Sequence, residues 1–194
     1  QLQAKKLRYW TYYSRVERNA LHQRQLDTPI GTLTLVASTK GVRRICFAQL
    51  TESDAQFLDD VPVDAQHAVL VSAAQQLEEY FTGSREKFDL PLDLVGTEFQ
   101  IATWNALALI DYGTTATYGE QARSIGRPRA VRAVGGANRC NPVPVVLPCH
   151  RVIGANGTLT GFAGGLDTKR WLLAHENAHA FGQEIQSKGQ ALCS

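Results

Sequence analysis

Thr117-Tyr118-Gly119-Glu120-Gln121-Ala122-Arg123-Ser124-Ile125-Gly126-Arg127-Pro128-Arg129-Ala130-Val131-Arg132-Ala133-Val134-Gly135-Gly136-Ala137-Asn138 holds two short helices and the corner between them. Thr117 and Glu120 have capping-box spacing, a hydroxyl cap with a carboxylate three residues on. The helix they start is expected to reach about Ile125 and stop at Gly126. Pro128 then sits where a first-turn proline is tolerated. Arg129 to about Asn138 supplies the second helix, with Ala130, Val131, Val134 and Ala137 inward and Arg132, Arg139 and Arg129 outward. Two short helices around a glycine-containing turn read as a helix-turn-helix. Any two-helix corner gives a similar pattern, so charge has to decide. Between 117 and 151 six arginines (Arg123, Arg127, Arg129, Arg132, Arg139 and Arg151) stand against one acid, Glu120. Arginine without lysine suits fixed, planar contacts to phosphates and bases.

Outward from this corner the chain changes character twice. It has 194 residues, 44% of them hydrophobic and 20% charged, with a net charge of +2. That is an ordinary globular balance with enough length for a real core. Residues 1–24 carry +5, residues 25–95 carry −6 and residues 96–194 carry +3. No apolar run nears the roughly 20 residues of a membrane span, and the first residues lack the charged-then-apolar pattern from which a signal peptide would be expected. Cysteines at 46, 140, 149 and 193 form neither a disulfide framework nor a zinc spacing. The expectation is a reduced, intracellular protein, read from a chain that contains no methionine. Residues 1–24 read as a basic extension of unknown role, a transit peptide being a second reading of it. Residues 25–92 read as an amino-terminal α/β domain. Thr32–Ala37 and Val42–Phe47 form a hairpin across Lys40-Gly41, and Cys46 is expected to be a buried small hydrophobe. An acidic loop over 51–64 leads to a helix over 65–82 with Val69, Ala73, Leu77 and Tyr80 inward. Asp89–Val95 reads as a linker. A helix opening at Thr97 is expected to bury Phe99, Trp104, Leu107 and Ala108. It begins a second domain over 93–180, and 181–194 is a tail.

Downstream of the corner, the stiff apolar run Asn141-Pro142-Val143-Pro144-Val145-Val146-Leu147 delivers Pro148-Cys149-His150-Arg151-Val152. Thiol chemistry needs the thiolate, which a nearby imidazole or guanidinium favours. Neighbours in sequence do not automatically face one another, so His150 would act on Cys149 through a water and would need a carboxylate to orient it. Glu176, on the helix Trp171-Leu172-Leu173-Ala174-His175-Glu176, is the candidate. Taken alone, a Cys-His pair is also what a buried cysteine beside a satisfied histidine looks like.

Pro148-Cys149-His150-Arg151-Val152 resembles the signature of the O6-alkylguanine-DNA alkyltransferases. So do Thr28-Pro29-Ile30-Gly31, Gly96-Thr97-Glu98-Phe99-Gln100, Tyr118-Gly119-Glu120, Arg132-Ala133-Val134-Gly135, Asn141-Pro142, Thr160-Gly161-Phe162-Ala163-Gly164-Gly165 and Trp171-Leu172-Leu173, in family order and spacing over residues 26 to about 180. The resemblance implies an α+β fold: a small ribonuclease H-like sheet and helix domain, then a helical winged helix-turn-helix domain holding the active site. It implies stoichiometric, irreversible transfer of an alkyl group from O6-alkylguanine, and from O4-alkylthymine, to Cys149. By the same resemblance His150 is the water-mediated base, Glu176 its orienter and Asn141 a brace. Tyr118 helps rotate the target phosphate and donates a proton to the departing guanine. Arg132 fills the stack the base has left. Gly119, Arg127 and Ala155 contact the DNA backbone. Tyr118, Phe162 and the loop 160–165 with Ala163 close the pocket, and the Cys149 and Val152 carbonyls read the guanine amino group.

The implied partner is double-stranded DNA, bound in the minor groove with little sequence preference by a monomer, without a cofactor or metal. The implied compartment is the cytoplasm, or the nucleus in a eukaryote. Departures from the family pattern are few. Asp111 replaces a common proline, Phe162 a frequent tyrosine, and Cys140 a small residue, where it is either a packing choice or an oxidisable thiol. Rival readings are a non-catalytic damage sensor on the same fold, a regulatory domain and a cysteine hydrolase. Cys149 with His150 and Glu176 disfavours the sensor, and no oxyanion motif supports the hydrolase.

Overall fold

The computed structural model describes residues 21–50 and 52–177. Most of the expected basic extension and the tail 181–194 therefore lie outside the described residues. Three antiparallel strands open the fold, β1 (His22–Leu26), β2 (Leu33–Ser38) and β3 (Gly41–Cys46), in the order β1-β2-β3. The β2–β3 hairpin is as the sequence suggests, but β1 starts inside the stretch read as an extension. His22, Gln23 and Arg24 pair with Ala37, Val36 and Leu35. Their polar side chains hid the strand: His22, Gln23 and Arg24 are half-buried and held partly from outside, Gln23 exchanging backbone hydrogen bonds with Pro62 and Asp64.

β2 is buried along its whole length. Its alternation still sorts two cores: Leu33, Leu35 and Ala37 pack in the main core, while Val36 joins Leu21, Cys46, Leu58 and Val61 in a second cluster. That second cluster includes part of α1 (Glu52–Leu58), a helix in what the sequence reading gives as an acidic loop. Seven residues are too short for periodicity to show, although Glu52 and Asp54 in the first turn suit the positive end of a helix. The main core includes α2 (Ala68–Phe81), whose Leu70, Ala73, Ala74, Gln76, Leu77 and Tyr80 are buried. Val69 is only half-buried; Leu70 takes the inward place.

The linker does not merely connect. It runs along the outer edge of β3: Val42 donates its N–H to the Pro91 carbonyl at 2.8 Å, and the Asp93 N–H returns to the Val42 carbonyl at 2.9 Å. The Asp93 carboxylate also takes the Ser38 hydroxyl at 2.6 Å and pairs with Arg43 at 3.0 Å. Gly41 is required here, because a Cβ would collide with the Pro91 carbonyl.

Three helices follow: α3 (Glu98–Leu107), α4 (Tyr118–Ser124) and α5 (Val131–Arg139). Both α3 and α4 begin with complete capping boxes, Thr97 with Gln100 and Thr117 with Glu120. α3 buries Thr103, Trp104, Ala106 and Leu107; Ala108, expected inward, is exposed beyond its end, and Phe99 is half-buried. The turn after α4 passes through Gly126 at φ 68°. α5 buries Val134, Ala137 and Asn138, whereas Val131, expected inward, is 40% exposed. Two buried polar contacts fix the corner. The Trp104 indole donates to the Ala137 carbonyl at 2.8 Å. Gln121 donates to the Thr103 carbonyl at 2.9 Å and exchanges hydrogen bonds with Asn138 at 3.2 and 2.7 Å. A short parallel pair, β4 (Ala116–Thr117) with β5 (Val152–Ile153), joins the corner to the reactive segment, and a last helix, α6, spans 165–177. Among the described residues no helix is long and apolar enough to cross a membrane.

Candidate active site

The segment 141–148 is closed upon Asn141. That amide donates to the Leu147 carbonyl at 2.7 Å and accepts the Val143 N–H at 3.1 Å, both buried. Within the loop Val145 is fully buried with φ 73°, a left-handed conformation that is rare for a β-branched residue and costs about 1–3 kcal/mol. The surroundings hold it there: Leu147 bonds back to Val143 at 2.9 Å, and Ile45 of β3 donates to the Pro142 carbonyl at 2.8 Å. A rigid loop thus leads into the 3-10 turn Cys149–Arg151, all three residues of which are buried.

Glu176 of α6 sits behind that turn, 1% exposed, and accepts five hydrogen bonds. Oε1 takes His150 Nε2 at 2.7 Å, Tyr80 Oη at 2.8 Å and an Arg151 terminal nitrogen at 3.0 Å. Oε2 takes Arg151 Nε at 2.9 Å and the Gly113 N–H at 3.2 Å. Burial alone would raise its pKa, but the hydrogen bonds and charges of His150 and Arg151 outweigh that and hold it at about 2. Burial pushes the His150 pKa below its ordinary value, so the imidazole is neutral. An ionised carboxylate only accepts, so Nε2 carries the proton and Nδ1 presents a lone pair. Nδ1 is buried with no partner among the described residues. Burial likewise raises the Cys149 thiol, against which the Asn141 side chain and the charge of Lys169 favour the thiolate. The group is a thiol, an imidazole base and an anchored carboxylate, which suits attack by sulfur once the proton has a route to Nδ1.

Of the residues singled out, Cys149, His150, Glu176 and Asn141 come together here. Arg151 belongs with them: read from sequence among the phosphate-facing arginines, it is 5% exposed, bonded to Glu176, and donates to the Ile110 carbonyl at 2.6 Å. Tyr118 opens α4, half-buried, its hydroxyl 3.5 Å from the Thr160 carbonyl. Phe162 is half-buried and edge-on to His150 at 6.4 Å, Ala163 is exposed on the same loop, and Val152 is buried in β5. Arg127 and Arg132 are exposed at the corner and on α5, Gly119 is half-buried in the first turn of α4, and Ala155 is exposed after β5. Cys140, at the end of α5, is exposed rather than packed.

Sequence reasoning missed two site residues. Tyr80 reaches Glu176 from α2, 96 positions away, with no local signal. Lys169 is fully buried on α6 and donates to the Val152 carbonyl at 2.6 Å and the Thr160 carbonyl at 2.9 Å. Burial lowers its pKa while Cys149 opposes that shift. A lysine on the inward face of α6, four residues after Gly165, was the available sign.

Fold and site together define a helix-turn-helix protein built around a buried thiol, imidazole and carboxylate. Two family profiles match the chain: the ribonuclease-like domain of 6-O-methylguanine DNA methyltransferase over residues 9–94, and its DNA-binding domain over residues 98–178. A methylated-DNA–protein-cysteine methyltransferase of Methanosarcina barkeri is 46% identical over 153 residues, covering 78% of this chain and 94% of that protein. One from Mycobacterium tuberculosis is 42% identical over 160 residues, 82% of this chain and 94% of that one. The crystal structure of the M. tuberculosis O6-methylguanine methyltransferase superposes with a TM-score of 0.74 at 43% identity, over 82% of this chain and 94% of that one. A structure of the M. tuberculosis protein in complex with DNA gives 0.74 at 43% identity, over 81% and 94%. The chain belongs to the 6-O-methylguanine DNA methyltransferase family.

Proposed function

We infer that this protein repairs alkylated DNA by moving the alkyl group of O6-alkylguanine onto Cys149, once per molecule. The observation that carries this reading is the free Nδ1 lone pair on a neutral imidazole, fixed by Glu176 one residue from a buried thiol. His150 takes the thiol proton through a water, sulfur attacks the alkyl carbon, and the bond from that carbon to O6 breaks as the S–C bond forms. The departing guanine receives a proton from Tyr118, and the proton taken up by His150 returns to the tyrosinate through water. Glu176, ionised and held by Arg151 and Tyr80, stabilises the imidazolium while it exists. The thioether is not reversed, so each molecule acts once.

DNA is the partner. The exposed Arg127 and Arg132, with Gly119 and Ala155, support a reading in which α5 enters the minor groove of a flipped-out site with little sequence preference, bound by a monomer. The exposed, small Ala133 beside Arg132 suits close approach of α5 to the duplex. Phe162, Ala163 and Val152 with Tyr118 would enclose the base, and O4-alkylthymine offers the same alkyl–oxygen bond. Residues 25–92 and 93–180 divide the work between support and chemistry, in the compartment that holds the DNA, cytoplasm or nucleus.

A duplex carrying one O6-methylguanine tests this directly. Intact-protein mass should rise by one methyl in place of one hydrogen, mapped to Cys149 and absent in Cys149→Ala. Tight binding without that gain would instead identify a damage sensor.

A further inference from the structure

β3 ends at Cys46, and the next residue, Phe47, is 8% exposed within the main core. Its ring lies edge-on to Phe162, centroids 5.4 Å apart. Gly164 is so near that a Cβ added there would stand 2.8 Å from the same ring. Two residues back, Ile45 clamps β3 to Pro142 on the loop that leads to Cys149. Phe47 also lines, with Asn141, Pro144 and Ala163, the cleft beside that loop. Among the described residues the loop 160–165 has few other anchors, the Tyr118 hydroxyl at Thr160 being one. Lys169 holds Thr160 at its start, while Gly161, Ala163 and Gly165 are exposed. A segment so poor in contacts takes its position from the ones it has.

We propose that Phe47 sets how large an alkyl group the pocket accepts, acting as a positioning residue through Phe162 and Gly164. The proposal rests on the alkyl-transfer reading and makes the amino-terminal domain part of the substrate filter. With the ring in place, Phe162 is pinned as a wall close to His150, which suits a methyl group. Without it, Phe162 can swing toward the vacated space. A small group then loses a preorganised wall while a bulky one gains room.

The test is single-turnover transfer to Cys149 from two duplexes, one carrying O6-methylguanine and one O6-benzylguanine, on the same preparation. The benzyl-to-methyl rate ratio cancels differences in active fraction. Phe47→Ala should raise that ratio about tenfold, and Phe47→Leu, which spares the core, should raise it less. Gly164→Ala in the Phe47→Ala background returns a methyl to the emptied space and should bring the ratio back toward the wild-type value. A ratio within about twofold of wild type in both Phe47 variants, or one that moves toward methyl, overturns the proposal. Wild-type protein that labels Cys149 from neither duplex removes the transfer reading and this proposal together. Methyl transfer by wild type with an unmoved ratio removes this proposal alone.

Discussion

The buried centre around Glu176 and the exposed face of α5 stand close in sequence and follow opposite rules. Around Glu176 every polar contact is internal, and five donors converge on one carboxylate. Along the corner Gln121 and Asn138 are buried against each other, but the arginines face outward. Among the described residues Arg127, Arg129, Arg132 and Arg139 have no carboxylate within ion-pair distance. A buried charge is tolerated only when fully paired, so chemistry and folding stability are inseparable at the centre. An exposed, unpaired arginine contributes little to folding and keeps its charge for a polyanion.

Breaking the centre should therefore damage both properties. Glu176→Gln leaves Arg151 buried beside a neutral amide, and about 3–5 kcal/mol of stability should go with nearly all transfer activity. Urea unfolding and single-turnover kinetics on the same protein would show whether the two losses travel together. Acid should do the same without mutation. The folded-state pKa values of His150 and Glu176 both lie below their unfolded values, so each contributes stability at neutral pH that is lost on acidification. The His150 share starts to fade below about pH 6.5. The Glu176 share, roughly 3 kcal/mol, goes between its ordinary value of 4.5 and about 2. Denaturation midpoints at stepped pH should fall in those windows, and Glu176→Gln should lack the lower one.

On the exposed side the two properties should separate. Arg132→Ala should leave thermal stability within about 0.5 kcal/mol yet slow transfer from a duplex roughly tenfold or more. Transfer from free O6-benzylguanine base, which needs no flipping, should be unchanged. A parallel loss on the free base would place Arg132 with the centre and spoil the contrast. Tyr80→Phe is gentler. It should cost about 1 kcal/mol and raise the apparent pKa in the pH–rate profile, because Glu176 with one donor fewer holds the imidazolium more strongly. Arg127→Ala should have the smallest effect, lowering the salt dependence of DNA binding by about one ion with no change in folding.

What the sequence made legible follows the same division. Thr117 with Glu120, Gly126 and the Cys149-His150 pair act over a few residues, so their patterns survive in one dimension. The outward arginines were legible because no carboxylate among the described residues answers them. Arg151 was misread because its answering carboxylate lies 25 positions away. Tyr80, Lys169 and the Gln121–Asn138 exchange depend on elements that meet only after folding, and each looks ordinary in its own segment. β1 and α1 escaped for a different reason: one is polar and the other short, and both are formed by what covers them.

Glu176 accepts a hydrogen bond from Tyr80, and Pro142 one from Ile45, each across the join between the sheet domain and the helical one. For anyone hoping to shrink this protein into a compact labelling tag, those bonds draw a boundary. A fragment beginning at α3 would keep Cys149, His150, Arg151 and Glu176 but strip one donor from the carboxylate, one from the reactive loop and the ring behind Phe162. Miniaturisation would have to rebuild that missing face; deleting it would leave the nucleophile without its frame.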